Sequence, residues 1–193
     1  MKPAARIVLG VEYDGSAYAG WQCQTGKRTV QSELQAALSR VADHPVSVVC
    51  AGRTDAGVHA LTQVVHFDTL AQREISAWVL GVNSHLPADV RVLWARPAVD
   101  DFHARSSAVA RFYRYVILNR AMKSALKPTQ LTWCYQALDA ETMHRAGQYL
   151  IGEHDFSSFR AQGCQSRSPC RMMHFIDVYR RDDRVIMDIC ANA

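Results

Sequence analysis

The chain has 193 residues, 49% of them hydrophobic, and a net charge of +4. That length supports a real core, in one domain or two small lobes, and the lack of any run of about 18 apolar residues excludes a membrane-spanning helix. The opening Met1-Lys2-Pro3-Ala4-Ala5-Arg6 leads straight into a strand-like segment rather than a secretory leader, and six cysteines without a Cys-x-x-Cys pair fit a reducing, cytoplasmic setting.

Ile7, Leu9, Val11 and Tyr13 alternate as in a half-buried strand, followed by a Gly-rich turn from Asp14 to Trp21. Thr29 is placed to cap a helix, with Glu33 in its first turn and Val30, Leu34, Ala37, Leu38 and Val41 on one stripe; His44-Pro45 ends it. Val46–Cys50 and Leu61–Phe67 read as strands, Glu74–Asn83 as a helix, Leu86–Asp89 as a turn and Val90–Trp94 as a strand. Strand–helix–strand–strand–helix–strand is the order of a ferredoxin-like or RNA-recognition-like unit. A second, looser series begins near Asp101. It contains a strand at Arg111–Leu118 and a helix capped by Asp139 that carries Met143, Ala146, Leu150 and Ile151. A hairpin of Met172–Tyr179 and Val185–Cys190 turns at Arg181-Asp182-Asp183. This second series lacks a last helix and strand. The expected organisation is a lobe at 1–100 and an incomplete lobe at 101–193, and the loop Met122–Gln130 is the best candidate for mobility.

Between the strands at 46–50 and 61–67 lies Ala51-Gly52-Arg53-Thr54-Asp55-Ala56-Gly57-Val58-His59-Ala60. Two glycines around an aspartate suggest a tight loop with special backbone angles or a close approach. Arg53, two residues before Asp55, can keep a partly buried carboxylate ionised. Such a loop suits a nucleophile or a base; a purely structural Arg–Asp pair is the alternative. The basic residues are 18 arginines against 4 lysines. Arginine suits phosphate and stacking contacts, although GC-rich codon usage also favours it. Arg105, Arg111 and Arg114 interleave with Phe102, His103, Phe112, Tyr113 and Tyr115, as on a nucleic-acid surface or on a strand with one polar face. Cys164, Cys170 and His174 lie close in sequence but fit no standard zinc spacing, and no carboxylate or histidine cluster has the spacing of a metal-dependent hydrolase.

The loop Gly52–Ala60 resembles the signature of the TruA family of tRNA pseudouridine synthases. Tyr13-Asp14-Gly15 with Gly20-Trp21-Gln22 is similar to that family's opening, and Gln63-Val64 with His66-Phe67 to its next strand. Phe102-His103-Ala104-Arg105 and Arg111-Phe112-Tyr113-Arg114-Tyr115 resemble its second block. Gly152–Arg160 and Cys164-Gln165-Ser166 resemble a third. The blocks occur in family order over nearly the whole chain. The resemblance implies an α+β pseudouridine synthase fold, with two ferredoxin-like lobes sharing a mixed, mostly antiparallel sheet and helices packed on it.

The same resemblance implies isomerisation of uridine to pseudouridine at positions 38 to 40 of the tRNA anticodon arm, by a homodimer. The reaction conserves atoms, so no cofactor and no metal are implied. Asp55 is the expected catalytic nucleophile. The target base must leave its stack, and Tyr113 is the implied platform for it. Arg53, Thr54, His59, His103, Arg105 and Arg111 are the other candidate substrate and RNA contacts, with Arg160, Arg167 and Arg171 as further phosphate contacts. Family members run on past Ala193 into a helix bearing an additional arginine. The chain is therefore expected to be truncated relative to them, and an RNA-binding fragment with impaired catalysis is the alternative reading.

Overall fold

The computed structural model describes residues 5–99, 101–126, 129–160 and 168–193. They divide into two compact units, Met1–Ala108 and Val109–Ala193.

In the first unit, strand β1 (Ala5–Tyr13) is followed by helix α1 (Val30–Ala42), β2 (Val49–Cys50) and β3 (Ala60–Thr69), then by a π-helical turn (Ala77–Gly81) running into α2 (Val82–His85) and β4 (Val90–Pro97). The strands are ordered β2-β3-β1-β4, all pairs antiparallel, which is the ferredoxin-like arrangement expected from the element order. Thr29 is extended and accepts the Ser32 N–H, while the Ser32 hydroxyl oxygen accepts the Thr29 N–H. This capping box satisfies donors that a helix start leaves orphaned. Glu33 sits in the first turn, as expected, and Asp43 ends the helix in the left-handed region at φ 58°. Leu34 and Leu38 of α1 pack with Leu9, Val11, Val65, Phe67, Val92 and Trp78 in the main core.

The strand expected over Val46–Cys50 forms a ladder only at Val49–Cys50. The reason is local: the amides of Val46 and Val48 donate to Ser39 Oγ at 2.9 Å and Gln35 Oε1 at 3.1 Å on α1, so their backbone is satisfied by the helix rather than by a neighbouring strand. The helix expected at Glu74–Asn83 instead ends at His85 and carries the π-turn in its middle.

The second unit contains β5 (Ala110–Asn119), β6 (Thr132–Cys134), α3 (Ala140–Gln148), β7 (Gly152–Asp155), β8 (Cys170–Arg181) and β9 (Arg184–Asn192). Its order is β6-β5-β9-β8-β7, with β6 parallel to β5 and the other pairs antiparallel. The ladders form two mostly antiparallel sheets, one in each unit, in a mixed α+β chain of the kind expected. The hairpin turns at Asp182, φ 55°. Asp139 caps α3 through the amides of Glu141 and Thr142, but the helix stops at Gln148, so Leu150 and Ile151 do not continue its stripe. Their amides bond the carbonyls of Gly147 and Gln148 in a closing turn. The short strands β6 and β7 carry no alternation long enough to be read in sequence. Part of the Met122–Gln130 loop, residues 127 and 128, lies outside the described residues.

Candidate active site

The Asp55 loop is a hydrogen-bonded turn: the Val58 N–H donates to the Asp55 carbonyl at 3.2 Å, with Gly57 at φ 79°. A glycine at the third position of such a turn is what a type II geometry requires. Asp55 opens the turn and is itself exposed.

Although Asp55 faces solvent, the backbone beneath it is held from several directions. Gln63, only 8% exposed, donates Nε2–H to the Gly52 carbonyl and accepts the Gly52 N–H at 3.3 Å. The Trp21 N–H donates to the Thr54 carbonyl at 2.9 Å, and the Tyr13 hydroxyl bonds Thr54 Oγ1 at 2.8 Å. The Gly-rich segment after β1 lies directly against the loop. A Cβ on Gly15 would stand 2.0 Å from the Val58 carbonyl oxygen. One on Gly20, whose φ is 96°, would stand 2.8 Å from that of Thr54. These two glycines are required by close backbone approach. Arg28 and Tyr18 both reach Asp89, at 3.1 and 2.5 Å, and Arg28 also stacks over the Tyr18 ring. The Gly-rich segment is therefore itself anchored.

His59 closes the far end. Its Nδ1 lies 3.1 Å from Asp14 Oδ1 and 3.3 Å from the Gly15 amide nitrogen. One nitrogen cannot donate to the first and accept from the second; the shorter contact and the carboxylate's charge favour donation to Asp14. The Asp14 carboxyl is held below its ordinary range, first by hydrogen bonds from Ser16 and further by His59. Burial pushes the Tyr13 phenol up, so it is a neutral hydroxyl at the base of the loop.

Thr54 directs its carbonyl to Trp21 and its hydroxyl to Tyr13, and so anchors the loop. Arg53 is exposed and acts on the buried Cys50 thiol. Burial raises that thiol, while a hydrogen bond from Arg105 and the charge of Arg53 oppose the rise. Both guanidiniums therefore stand near the strand that leads into the loop. The segment bearing His103 and Arg105 belongs to the first unit. Arg6 bonds the Phe102 carbonyl at 2.8 Å, the Ala104 N–H donates to His66 Nδ1 at 3.0 Å, and the His66 and His103 rings meet edge to face at 4.8 Å. His103 Nδ1 accepts the Ser106 N–H, and the His103 backbone N–H donates to Ser107 Oγ. Burial, followed by the nearby charges of Arg6 and His103, lowers the His66 pKa.

Arg111 and Tyr113 alternate on β5 in the second unit, where Tyr113 pairs with Ile189 and is 52% exposed. On the opposite face of that strand, Arg114 makes a bidentate pair with Asp188 at 2.6 and 2.8 Å. Arg160 follows a short 3-10 turn, and Arg171 bonds the carbonyls of Ser168 and Cys170. Cys164, Gln165, Ser166 and Arg167 lie outside the described residues. Among the described residues, no three His, Cys, Asp or Glu side chains are grouped to hold a metal ion, and no helix is long and apolar enough to cross a membrane.

A family model described as tRNA pseudouridine synthase matches residues 10–105 and 146–193. The chain is 64% identical over 188 residues to tRNA pseudouridine synthase A of Methylococcus capsulatus, covering 97% of this chain and 69% of that protein. The protein of the same name from Coxiella burnetii is 55% identical, with 98% and 72% covered, and that from Escherichia coli O1:K1 is 56% identical, with 99% and 71% covered. The chain belongs to the tRNA pseudouridine synthase family. The family match takes in the whole Asp55 loop, the Gly15–Trp21 segment that clamps it, and Arg105, its last residue before the gap. Arg111 and Tyr113 fall within that gap and are covered by the relatives instead.

Sequence reasoning did not assign Gly20, Trp21, Gln63 or Cys50 to the site. The usable signal was phase. Gln63 falls in register with the inward Val65 and Phe67 of β3, and a polar residue at a core position needs a partner.

Proposed function

We propose that this chain isomerises uridine to pseudouridine in tRNA, with Asp55 as the attacking carboxylate. The observation that carries this reading is an exposed aspartate on a backbone clamped from both sides, in a chain of this family. A nucleophile must be presented to the substrate yet held in place. Asp55 attacks the extruded nucleoside, at the sugar carbon or the base, and the bond from N1 to C1′ breaks. The base turns, C5 bonds to C1′ as the bond to Asp55 is released, N1 takes up a proton and C5 gives one up, so no atoms are gained or lost overall except by exchange with water.

Tyr113, half-exposed on a regular strand, offers a flat surface on which an extruded base stacks. Arg53, Arg105, Arg111, His59 and His103 are proposed to meet the phosphate backbone, which favours recognition by shape and charge over base edges. The family resemblance directs the reading to positions 38 to 40 of the anticodon arm, to a homodimer and to the cytoplasm.

The test is Asp55→Ala, assayed by tritium release from tRNA labelled at uridine C5. Isomerisation is expected to vanish while tRNA binding persists; substantial residual release overturns the assignment. The chain spans 69–72% of the length of these relatives, and the second reading is tRNA binding without turnover. Release by the unmodified chain at or below the Asp55→Ala level would select it.

A further inference from the structure

The two polar side chains buried under the Asp55 loop are not used by the reaction as proposed. Tyr13 is 3% exposed and Gln63 is 8% exposed. Each ends an inward-facing row, of Ile7, Leu9 and Val11 on β1, or of Val65, Phe67 and Thr69 on β3. An apolar residue at either place would extend the core without the cost of burying a hydroxyl or an amide. Both instead direct their polar ends at the three residues before the carboxylate: Gln63 grips both backbone groups of Gly52, and Tyr13 holds the hydroxyl of Thr54. Gln63 also stands near enough to the Tyr13 phenol to oppose the rise that burial causes in its pKa, so the two grips are neighbours.

From this we infer that Tyr13 and Gln63 are positioning residues for the isomerisation, a buried cradle that fixes where the Asp55 turn begins. The inference rests on Asp55 being the nucleophile. The cradle touches no substrate; it acts through the backbone of residues 52 to 54. Hydrogen bonds to a peptide unit restrict both its translation and its rotation, and a doubly held Gly52 lets the strand deliver the loop at one height and angle. Loss of the grip leaves the fold's apolar core intact but lets the turn shift as a unit.

The test uses Gln63→Leu, with Tyr13→Phe as a milder second variant that removes one hydroxyl and keeps the ring packed. Three quantities are measured on each: the tritium-release kcat and KM with tRNA, and amide hydrogen exchange at Val58. The Val58 N–H bonds Asp55 and touches neither substituted residue, so its protection reports the turn itself. The expected result is a kcat lower by about 10- to 100-fold, the range a misplacement of up to about 1 Å produces. KM should stay within about twofold, and Val58 exchange should be faster. A variant that folds with wild-type kcat overturns the inference, as does one whose kcat falls while Val58 protection is unchanged. If Asp55→Ala retains activity, the catalytic assignment fails instead, and the exchange data still decide whether the cradle holds the turn.

Discussion

Replacing Gly20 with alanine tests whether the clamp on the Asp55 loop governs catalysis. A Cβ at Gly20 would meet the Thr54 carbonyl oxygen at 2.8 Å, the Asp55 carbonyl carbon at 3.2 Å and the Ala56 nitrogen at 3.2 Å. All three are backbone atoms of the catalytic loop, so no side-chain rotation relieves the clash. Opening 2.8 Å to about 3.4 Å, the near edge of ordinary contact, moves the loop by about 0.6 Å. If about 1 Å of misplacement costs on the order of 100-fold, this displacement lowers kcat by roughly tenfold. The φ of 96° adds strain for any residue with a Cβ, about 1–2 kcal/mol of stability. Gly26 provides the control. Its φ is 72°, and a Cβ there would meet nothing within 4 Å, so Gly26→Ala carries the backbone strain without the collision. Tritium release and thermal denaturation on both variants separate the two effects. Both variants should lose stability, Gly20→Ala the more because of the collision, and only Gly20→Ala should lose kcat. Equal kcat in the two variants would refute this reasoning.

Two further outcomes follow from the side chains. Because burial lowers the His66 pKa, the unfolded chain binds the extra proton more readily than the native one. His66 therefore contributes stability that is complete above its ordinary value, about 6.5, and lost as pH falls toward and through the lowered native value. Tm should drop from about pH 7 to about pH 5, and His66→Asn, which keeps an acceptor for the Ala104 N–H, should flatten the slope; an unchanged slope counts against this account. For Tyr113, replacement by leucine should weaken binding of an anticodon stem-loop by about 1–3 kcal/mol if a base stacks there, with phenylalanine close to wild type. Filter-binding titrations distinguish this from a tyrosine that merely fills the sheet, for which leucine would bind normally.

Much of this protein was legible in order and spacing. Alternation at Ile7–Tyr13, the Thr29 cap and the stripe from Val30 to Leu38 are local signals, and each formed the element expected because packing agreed with propensity. The Asp55 turn was legible for the same reason: Gly57 supplies a positive φ that few other residues tolerate. Other features arise from contacts that no local rule contains. Val46–Val48 lost its ladder to two side chains of α1. Arg105 approaches Cys50 across more than fifty residues of sequence. Gln63, in a strand, and Gly20, in a turn far from Asp55 in sequence, both prove to face its loop. Residue order alone was enough to mark a glycine-flanked carboxylate for presentation. Which neighbours hold it was settled by the fold, because hydrogen bonds and close backbone approaches between distant segments depend on how the strands bring them together.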